Sequence, residues 1–125
     1  MKTIILDTNF LTIPYQFGVD VFEEIKKLVP ENYELVVLDG IIKELENLAK
    51  GKGRDSKAAK IGLELIEKKR VKIIKTESKS VDDEIIRLSN KETIVATNDK
   101  ELRERLKDKS AKVMYLRSKN RLELI

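Results

Sequence analysis

The sequence of 125 residues carries 26 Lys and Arg against 22 Asp and Glu, a formal net charge of +4, and 41% of its residues are hydrophobic. A chain of this length without a Pro/Gly/Ser-rich linker is expected to form one globular domain over residues 1–125. It contains neither Cys nor His, which excludes thiolate and imidazole metal sites and leaves oxygen as the ligand for any metal ion. Its first residues lead into a strand rather than a signal peptide, and no apolar run approaches the roughly 18 residues of a membrane span. We therefore expect a soluble, cytoplasmic protein that contacts no membrane.

Apolar runs rich in β-branched residues predict five short strands, each buried on both faces. In chain order these runs are Thr3–Leu6, Leu35–Leu38, Val71–Ile74, Thr93–Ala96 and Val113–Leu116. Leu122 and Leu124 alternate with polar residues, which indicates either an edge strand or a segment folded back on a helix.

Between the strands, apolar residues recur at helical spacing and predict five helices. Their apolar stripes are Phe22, Ile25, Leu28 and Val29; Ile41, Ile42, Leu45, Leu48 and Ala49; Ala58, Ile61, Leu65 and Ile66; Ile85, Ile86 and Leu88; and Leu102 with Leu106. Alternating strands and helices predict an α/β fold with three layers, in which helices cover a central, mainly parallel five-stranded sheet.

Local signals agree with these helix boundaries. Asp20 with Glu23, and Ser80 with Asp83, have the spacing of a capping box, and Pro30 follows the first helix where it should end. Two glycines interrupt the helical pattern within the segment Ala49–Lys57, which predicts an exposed, mobile loop.

Acidic residues occur where strands end and helices begin. Asp7 follows the first strand, Glu44 lies about one turn into the second helix, Asp82 with Asp83 begins the fourth, and Asp99 follows the fourth strand. Each has a plain structural explanation, as an Asx-turn, a solvated side chain, a capping-box member and a helix cap. Carboxylates that converge at the carboxyl edge of a parallel sheet repel one another unless a cation compensates, and Mg²⁺ or Mn²⁺ prefers such oxygen ligands. A divalent-metal site that hydrolyses phosphodiesters fits these residues.

Four motifs in order, "LDTN", "KELENL", "DDEI" and "ATNDKELRERL", resemble those of the PIN-domain nuclease family over nearly the whole chain. Within that family the C-terminal part is most similar to the archaeal and eukaryotic group related to rRNA-processing nucleases. The resemblance implies a Mg²⁺- or Mn²⁺-dependent endoribonuclease that cuts single-stranded RNA, leaving a 5′-phosphate and a 3′-hydroxyl. It also implies that the catalytic and metal-binding acids are Asp7, Glu44, Asp83 and Asp99.

Residue by residue, the resemblance assigns supporting roles around the acids. Asp83 is preferred to the adjacent Asp82 because Ile86 supplies the aliphatic residue that the family pattern places three positions after the acid. Asn9 and Thr97 are similar to residues that orient the acidic cluster or the metal-bound water. For Asn98 we expect a turn or capping role.

Basic residues form two candidate RNA-binding groups. Residues 100–121 hold nine Lys or Arg against three Asp or Glu, an asymmetry that suits a polyanion, although a solvated helix face explains it equally well. The residues that we expect to contact the phosphate backbone are Lys50, Lys52, Arg54 and Lys57 in the first group and Arg103, Arg105 and Lys107 in the second. Tyr15 and Phe17 are candidates for base stacking or, equally, for the core.

Other functions remain open at this point. A toxin ribonuclease of a VapBC-type toxin–antitoxin pair has the same acids, and a non-cleaving RNA-binding or ribosome-assembly module has the same fold. The resemblance accordingly implies a choice of partners: single-stranded RNA, pre-rRNA in the processing role, a second copy in a homodimer, and an antitoxin or assembly protein. A phospho-receiver domain is disfavoured because the third strand ends in "IIKTES" without an Asp acceptor, and dinucleotide binding because no G-x-G-x-x-G follows the first strand.

Overall fold

A six-stranded sheet forms the centre of the structure, a computed structural model that describes residues 1–125. The strands are β1 (Lys2–Leu6), β2 (Tyr33–Leu38), β3 (Lys72–Ile74), β4 (Thr93–Ala96), β5 (Lys112–Ser118) and β6 (Arg121–Leu124). Their order in the sheet is β3-β2-β1-β4-β5-β6, with every neighbouring pair parallel except the antiparallel β5 and β6. The predicted α/β class and mainly parallel sheet are confirmed, but the expected five strands are one too few. The sixth is the C-terminal segment, which pairs with β5 through a tight turn instead of folding back on a helix.

Seven α-helices connect the strands. They are α1 (Thr8–Leu11), α2 (Ile13–Phe17), α3 (Val21–Leu28), α4 (Asp39–Ala49), α5 (Arg54–Lys68), α6 (Val81–Leu88) and α7 (Lys100–Leu106). The five predicted helices correspond to α3 through α7. The two short ones were not predicted, because four or five residues are too few to show a helical period. None of the seven combines the length and apolar character that a bilayer crossing requires.

The core lies on both faces of the sheet. Consecutive residues of β1 and β4, such as Ile4 with Ile5 and Ile94 with Val95, are all buried, although neighbours along a strand point to opposite faces. Helices therefore cover the sheet on two sides, in agreement with the predicted three layers. The exception is β3, whose expected burial is wrong: it is an edge strand of three residues, and its Ile73 is 55% exposed.

Side-chain hydrogen bonds mark the start of two of the predicted helices. Both capping pairs form, since Asp20 Oδ1 accepts from Glu23 N at 3.2 Å and Ser80 Oγ accepts from Asp83 N at 3.1 Å. The predicted loop Ala49–Lys57 is shorter than expected. Only the residues between the end of α4 and the start of α5 leave the helices, and the turn is closed by Gly53, whose φ of +91° suits glycine.

Candidate active site

The two central strands β1 and β4 end side by side. They pair in parallel with Leu6 opposite Ala96, and Asp7 N donates to Ala96 O at 3.0 Å, so the residues that follow each strand emerge together. The sheet order also reverses direction here, because β2 and β3 lie on one side of β1 while β4 and β5 lie on the other. Such a switch point opens a crevice at the carboxyl ends of the strands, where α/β proteins bind their ligands.

Asp7 lies at the bottom of this crevice and is only 6% exposed. Its Oδ2 accepts from Thr97 Oγ1 at 2.6 Å and its Oδ1 accepts from Thr8 N at 2.9 Å. Burial raises the pKa of the Asp7 carboxyl from 3.8 to about 6; the two hydrogen bonds oppose this change, while the nearby carboxylates of Asp82 and Glu44 add to it. Burial alone is the largest cause, because desolvation disfavours the charged form.

A polar network holds the loop after β4 against the loop after β1. Thr97 is 1% exposed, and its Oγ1 both donates to Asp7 and accepts from Asp99 N at 3.1 Å. Asn9 Oδ1 accepts from Asn98 N at 2.9 Å, and Asn98 Oδ1 in turn accepts from the amide of Leu116 in β5 at 2.7 Å. Thr97 and Asn9 therefore lie where they can orient the acids. Asn98 ties its loop to β5, and the capping role considered for it belongs to Asp99.

Asp99 has two roles in the structure, as a helix cap and as part of the cleft wall. Its Oδ1 accepts from the amides of Glu101 at 2.9 Å and Leu102 at 3.2 Å, which makes it the N-cap of α7. The same residue lines the cleft beside Asp7. The structural and the chemical explanations of this acid are thus compatible, because one carboxylate oxygen is sufficient for the cap.

Glu44 reaches the cleft from α4 on the other side of Asp7. Thr8 Oγ1 donates to Glu44 Oε2, so the residue directly after Asp7 holds the second acid in place. Thr8 was not predicted as a site residue. The signal that would have identified it is its position in "LDTN", between two residues that were assigned to the site.

The fourth acid that lines the cleft is Asp82, whereas the preferred Asp83 lies outside the lining, so the geometry favours Asp82 as the candidate. Asp82 is half-buried on the cleft wall, where burial and then the charge of Asp99 raise the pKa of its carboxyl. Asp83 is exposed outside the cleft, and its Oδ1 accepts from Arg105 Nη2 at 2.7 Å. This hydrogen bond is the largest cause that lowers the pKa of Asp83. Successive helical residues lie about 100° apart around the axis, so only one of the two can face the cleft.

The cleft has a volume of about 410 Å³, and all but one of its ten lining residues are polar or charged. Its lining residues are Asp7, Thr8, Asn9, Thr12, Gln16, Glu44, Leu48, Asp55, Asp82 and Asp99. Sequence reasoning missed Thr12 and Gln16 because it missed α1 and α2. It also missed Asp55, which falls within the segment taken for a loop and accepts from Gln16 Nε2 at 3.4 Å.

The basic residues of the first predicted RNA-binding group lie on or beside the turn between α4 and α5, and all are exposed. These are Lys50, Lys52, Arg54 and Lys57. Arg54 is connected to the cleft by a hydrogen bond: its Nη2 donates to the carbonyl oxygen of the cleft residue Gln16 at 3.4 Å. Phe17, the residue after Gln16, is 46% exposed, and Tyr15 is 37% exposed, so neither side chain belongs to the buried core.

The second basic group is more engaged with the rest of the chain. Arg105 pairs with Asp83, Lys107 Nζ lies 2.9 Å from Glu104 Oε2, and the Arg103 guanidinium stacks over the Tyr115 ring at 4.7 Å from its centroid. Exposed pairs of this kind exchange readily, because they contribute little net energy.

The donor set of the cleft fits a hard divalent cation. Five carboxylates and several neutral oxygens line it, and nitrogen or sulfur ligands are absent from the sequence. No three acidic side chains are placed close enough to hold one ion together. Mg²⁺ keeps several waters and is commonly held through one or two carboxylates and substrate phosphate, so a site for it does not require three acids on one ion. Burial is the main cause of the raised pKa of Asp7 and Asp82, and repulsion between the carboxylates adds to it; a bound cation would relieve that repulsion.

Comparison with known proteins places this geometry among relatives. A family model described as a PIN like domain matches residues 4–119. Ribonuclease VapC4 of Methanocaldococcus jannaschii is 34% identical over 129 residues, covering 99% of this chain and 97% of that protein. Ribonuclease VapC9 of Archaeoglobus fulgidus is 28% identical over 124 residues, covering 98% and 88%.

Solved structures support the fold. The PIN domain endonuclease Utp24 superimposes with a TM-score of 0.76 at 24% identity, over 98% of this chain and 90% of that one. A domain of a functionally unknown protein from Methanocaldococcus jannaschii superimposes with a TM-score of 0.60 at 19% identity, over 100% and 99%. At these identities the two structures bear on the fold alone, and they agree with the α/β architecture described above.

Proposed function

Because this chain belongs to the PIN-domain family, we propose that it is a metal-dependent endoribonuclease that hydrolyses phosphodiester bonds of single-stranded RNA. The observation that carries the proposal is the acidic cleft, to which the end of β1, the helices α4, α5 and α6, and the loop after β4 each deliver one carboxylate. The names of the two archaeal relatives, both ribonucleases matched along nearly their whole length, favour RNA as the substrate.

The proposed roles follow from position. Asp7 and Asp99, at the ends of the two central strands, are the central ligands of Mg²⁺ or Mn²⁺, and Glu44 and Asp82 bind through water or hold a second ion. When bound, such a cation neutralises charge on the scissile phosphate and lowers the pKa of a coordinated water. In the overall reaction a water oxygen bonds to phosphorus, the bond from phosphorus to the 3′ oxygen breaks, and a 5′-phosphate and a 3′-hydroxyl result.

Neutral residues orient these acids. Thr97 holds Oδ2 of Asp7 and also the amide of Asp99, which fixes the two proposed central ligands relative to each other. Asn9 holds the intervening amide of Asn98, and Thr8 holds Glu44. Supports of this kind keep carboxylates in place despite their mutual repulsion, so that no large rearrangement accompanies cation binding.

RNA binding is proposed at the exposed basic residues around the cleft. Lys50, Lys52, Arg54 and Lys57 beside one wall, and Arg103, Arg105 and Lys107 on α7 and beyond it, can contact phosphates on either side of the cut. Affinity should then fall as salt rises, because each neutralised phosphate releases counterions.

The biological role takes one of two forms. The names of the VapC relatives favour a toxin ribonuclease controlled by an antitoxin. The alternative, which the resemblance of the C-terminal motifs implies, is rRNA processing with pre-rRNA as substrate. Expression in a heterologous host separates the two: growth arrest that disappears in the Asp7→Asn variant supports the toxin role. Unimpaired growth with specific changes in pre-rRNA ends supports the processing role.

The experiment that tests the nuclease proposal is cleavage of a labelled single-stranded RNA with Mn²⁺, with Mg²⁺ and with EDTA. The structure offers a matched pair of variants, since Asp82→Asn changes an acid inside the cleft and Asp83→Asn changes its neighbour outside it. We expect cleavage only with metal, strong loss in Asp7→Asn and Asp82→Asn, and near wild-type rates in Asp83→Asn. Metal-independent cleavage, or equal rates in all variants, would refute the proposed site.

A further inference from the structure

Gly40 is the point at which α4 comes closest to the start of α6. A Cβ atom built on Gly40 would lie 2.6 Å from Val81 Cγ2 and 3.1 Å from Thr76 Oγ1. The first distance is below any ordinary carbon contact, and Val81 has little freedom to turn away because a β-branched side chain in a helix is restricted to one main rotamer. Glycine is therefore required here for close approach of two elements.

The segment on the far side of this contact is held to α4 by hydrogen bonds. Thr76 N donates to Asp39 Oδ1 at 2.9 Å, and Gly40 N donates to Thr76 Oγ1 at 3.2 Å. Asp39 and Gly40 are the first two residues of α4, so the connection after β3 is attached at the start of that helix.

The same segment is attached to α6 by the buried side chain of Glu84. Glu84 is 0% exposed, and its Oε1 accepts from the amide and the hydroxyl of Ser78, at 3.0 and 2.5 Å. Arg87 Nη2 donates to Glu84 Oε2 at 2.7 Å, which supplies the charge that a buried carboxylate needs. The connection and the first turn of α6 thus form one unit, and a displacement of Val81 moves the unit as a whole.

This contact lies beside two of the cleft acids. Glu44 is four residues after Gly40 and so on the same face of α4, and Asp82 directly follows Val81 in α6. Any change in the spacing of the two helices at Gly40 therefore changes the spacing of the two carboxylates across the cleft.

We infer that Gly40, Thr76 and Val81 are positioning residues that set the separation of Glu44 and Asp82, and thereby the affinity of the cleft for a divalent cation. The inference rests on the proposed function, because it assigns these residues to the same site. It goes beyond that function by placing a determinant of metal affinity in a contact between residues that do not line the cleft.

The test is Mn²⁺ binding by calorimetry to the metal-free, full-length protein, alongside thermal melting of each variant. Gly40→Ala should weaken Mn²⁺ binding by roughly tenfold or more, the range observed when supports of metal ligands are changed. Adding Val81→Ala to that variant removes the Cγ atoms that the new methyl group meets, and should restore most of the affinity. Gly51→Ala is the matched control, since its Cβ would meet only the Leu48 carbonyl oxygen at 3.5 Å, an ordinary contact.

The results distinguish a failure of the proposed function from a failure of the inference about Gly40. Absence of Mn²⁺ binding in the wild-type protein would overturn the proposed function and this inference with it. Wild-type binding that Gly40→Ala leaves unchanged, or a loss that Val81→Ala does not recover, would overturn the inference alone.

A second variant covers the case in which Gly40→Ala does not fold. Thr76→Val keeps the shape of the side chain and removes the acceptor of the Gly40 amide. It should weaken Mn²⁺ binding and raise the Mn²⁺ concentration needed for half-maximal RNA cleavage. Unchanged values for both in a folded Thr76→Val protein would overturn the inference.

Discussion

The ionisation of Asp7 should cost the metal-free protein stability, and replacing Asp7 with Asn should remove that cost. The carboxyl has a raised pKa of about 6 in the folded protein against an ordinary value of 3.8, mainly because it is buried. An acid whose pKa is raised by folding binds its proton more tightly in the folded state. The contribution of Asp7 to stability is therefore fully present below pH 3.8 and is lost as the pH rises through about 6.

The expected size follows from the gap between the two values. Each pH unit over which the folded and unfolded states differ by one bound proton changes the free energy of unfolding by about 1.36 kcal/mol. The gap between 3.8 and about 6 therefore corresponds to about 3 kcal/mol lost between low and neutral pH. Asp7→Asn also loses one acceptor oxygen, but that loss is independent of pH and cancels in the pH dependence.

The assay is urea unfolding of both proteins in EDTA at several values between pH 4 and pH 8. The difference between the variant and the wild type should change steadily in favour of the variant, with most of the change complete by about pH 7. Asp83→Asn is the matched control: Arg105 lowers the pKa of Asp83, so this carboxyl titrates below 3.8, and the difference between this variant and the wild type should stay flat from pH 4 to pH 8. If the difference in the free energy of unfolding between the wild type and Asp7→Asn stays constant over this range, ionisation of the buried Asp7 does not destabilise the fold and the reasoning is refuted.

Four further outcomes are expected. Saturating Mn²⁺ should stabilise the wild type, by about 2.7 kcal/mol at a hundred times its dissociation constant, and should not stabilise Asp7→Asn, as thermal melting would show. Thr8→Val should lower cleavage while leaving the melting temperature nearly unchanged, because it frees Glu44 at an accessible position; equal activity would argue against that support. Glu84→Gln should have a lower free energy of unfolding in urea than the wild type, and this difference should shrink as pH falls from 4.5 toward 2. The reason is that hydrogen bonds from Arg87 and Ser78 lower the pKa of Glu84 to about 2, so the ionised carboxylate stabilises the fold only above that range. Leu45→Ala, in the fully buried face of α4, should cost about 2–5 kcal/mol in the same assay, and a much smaller loss would indicate a loosely packed helix.

The sequence predicted the sheet and the long helices well because their signals are periodic. β4 was predicted with its observed limits, and α4 through its stripe of apolar residues, since tertiary packing and local pattern agree there. The errors occur where the pattern is too short or where position in the sheet decides. β3 has the composition of a buried strand, yet it lies at an edge of the sheet. Because it pairs with β2 alone, Lys72 and Ile73 are exposed.

For the candidate site, the sequence was informative about residues next to strand ends and poor about the rest. Asp7, Thr97 and Asp99 follow strands whose order in the sheet brings them together. The choice between Asp82 and Asp83 depends on the rotation of α6 about its axis, which the Gly40 contact and the Glu84 hydrogen bonds determine. A sequence motif cannot report that rotation, because it is the result of contacts between segments about 40 residues apart.

The divided carboxylate of Asp99 makes it suited to a variant that binds RNA without cutting it. One oxygen caps α7 through two amides and the other is left for the cleft, so an amide in place of the carboxylate preserves the cap, at which Asn performs as well as Asp. Asp99→Asn would therefore remove a negative charge from the path of the phosphate while α7 keeps its start. A protein changed in this way could hold its natural RNA long enough for cross-linking and sequencing, which would identify the substrate directly from cells.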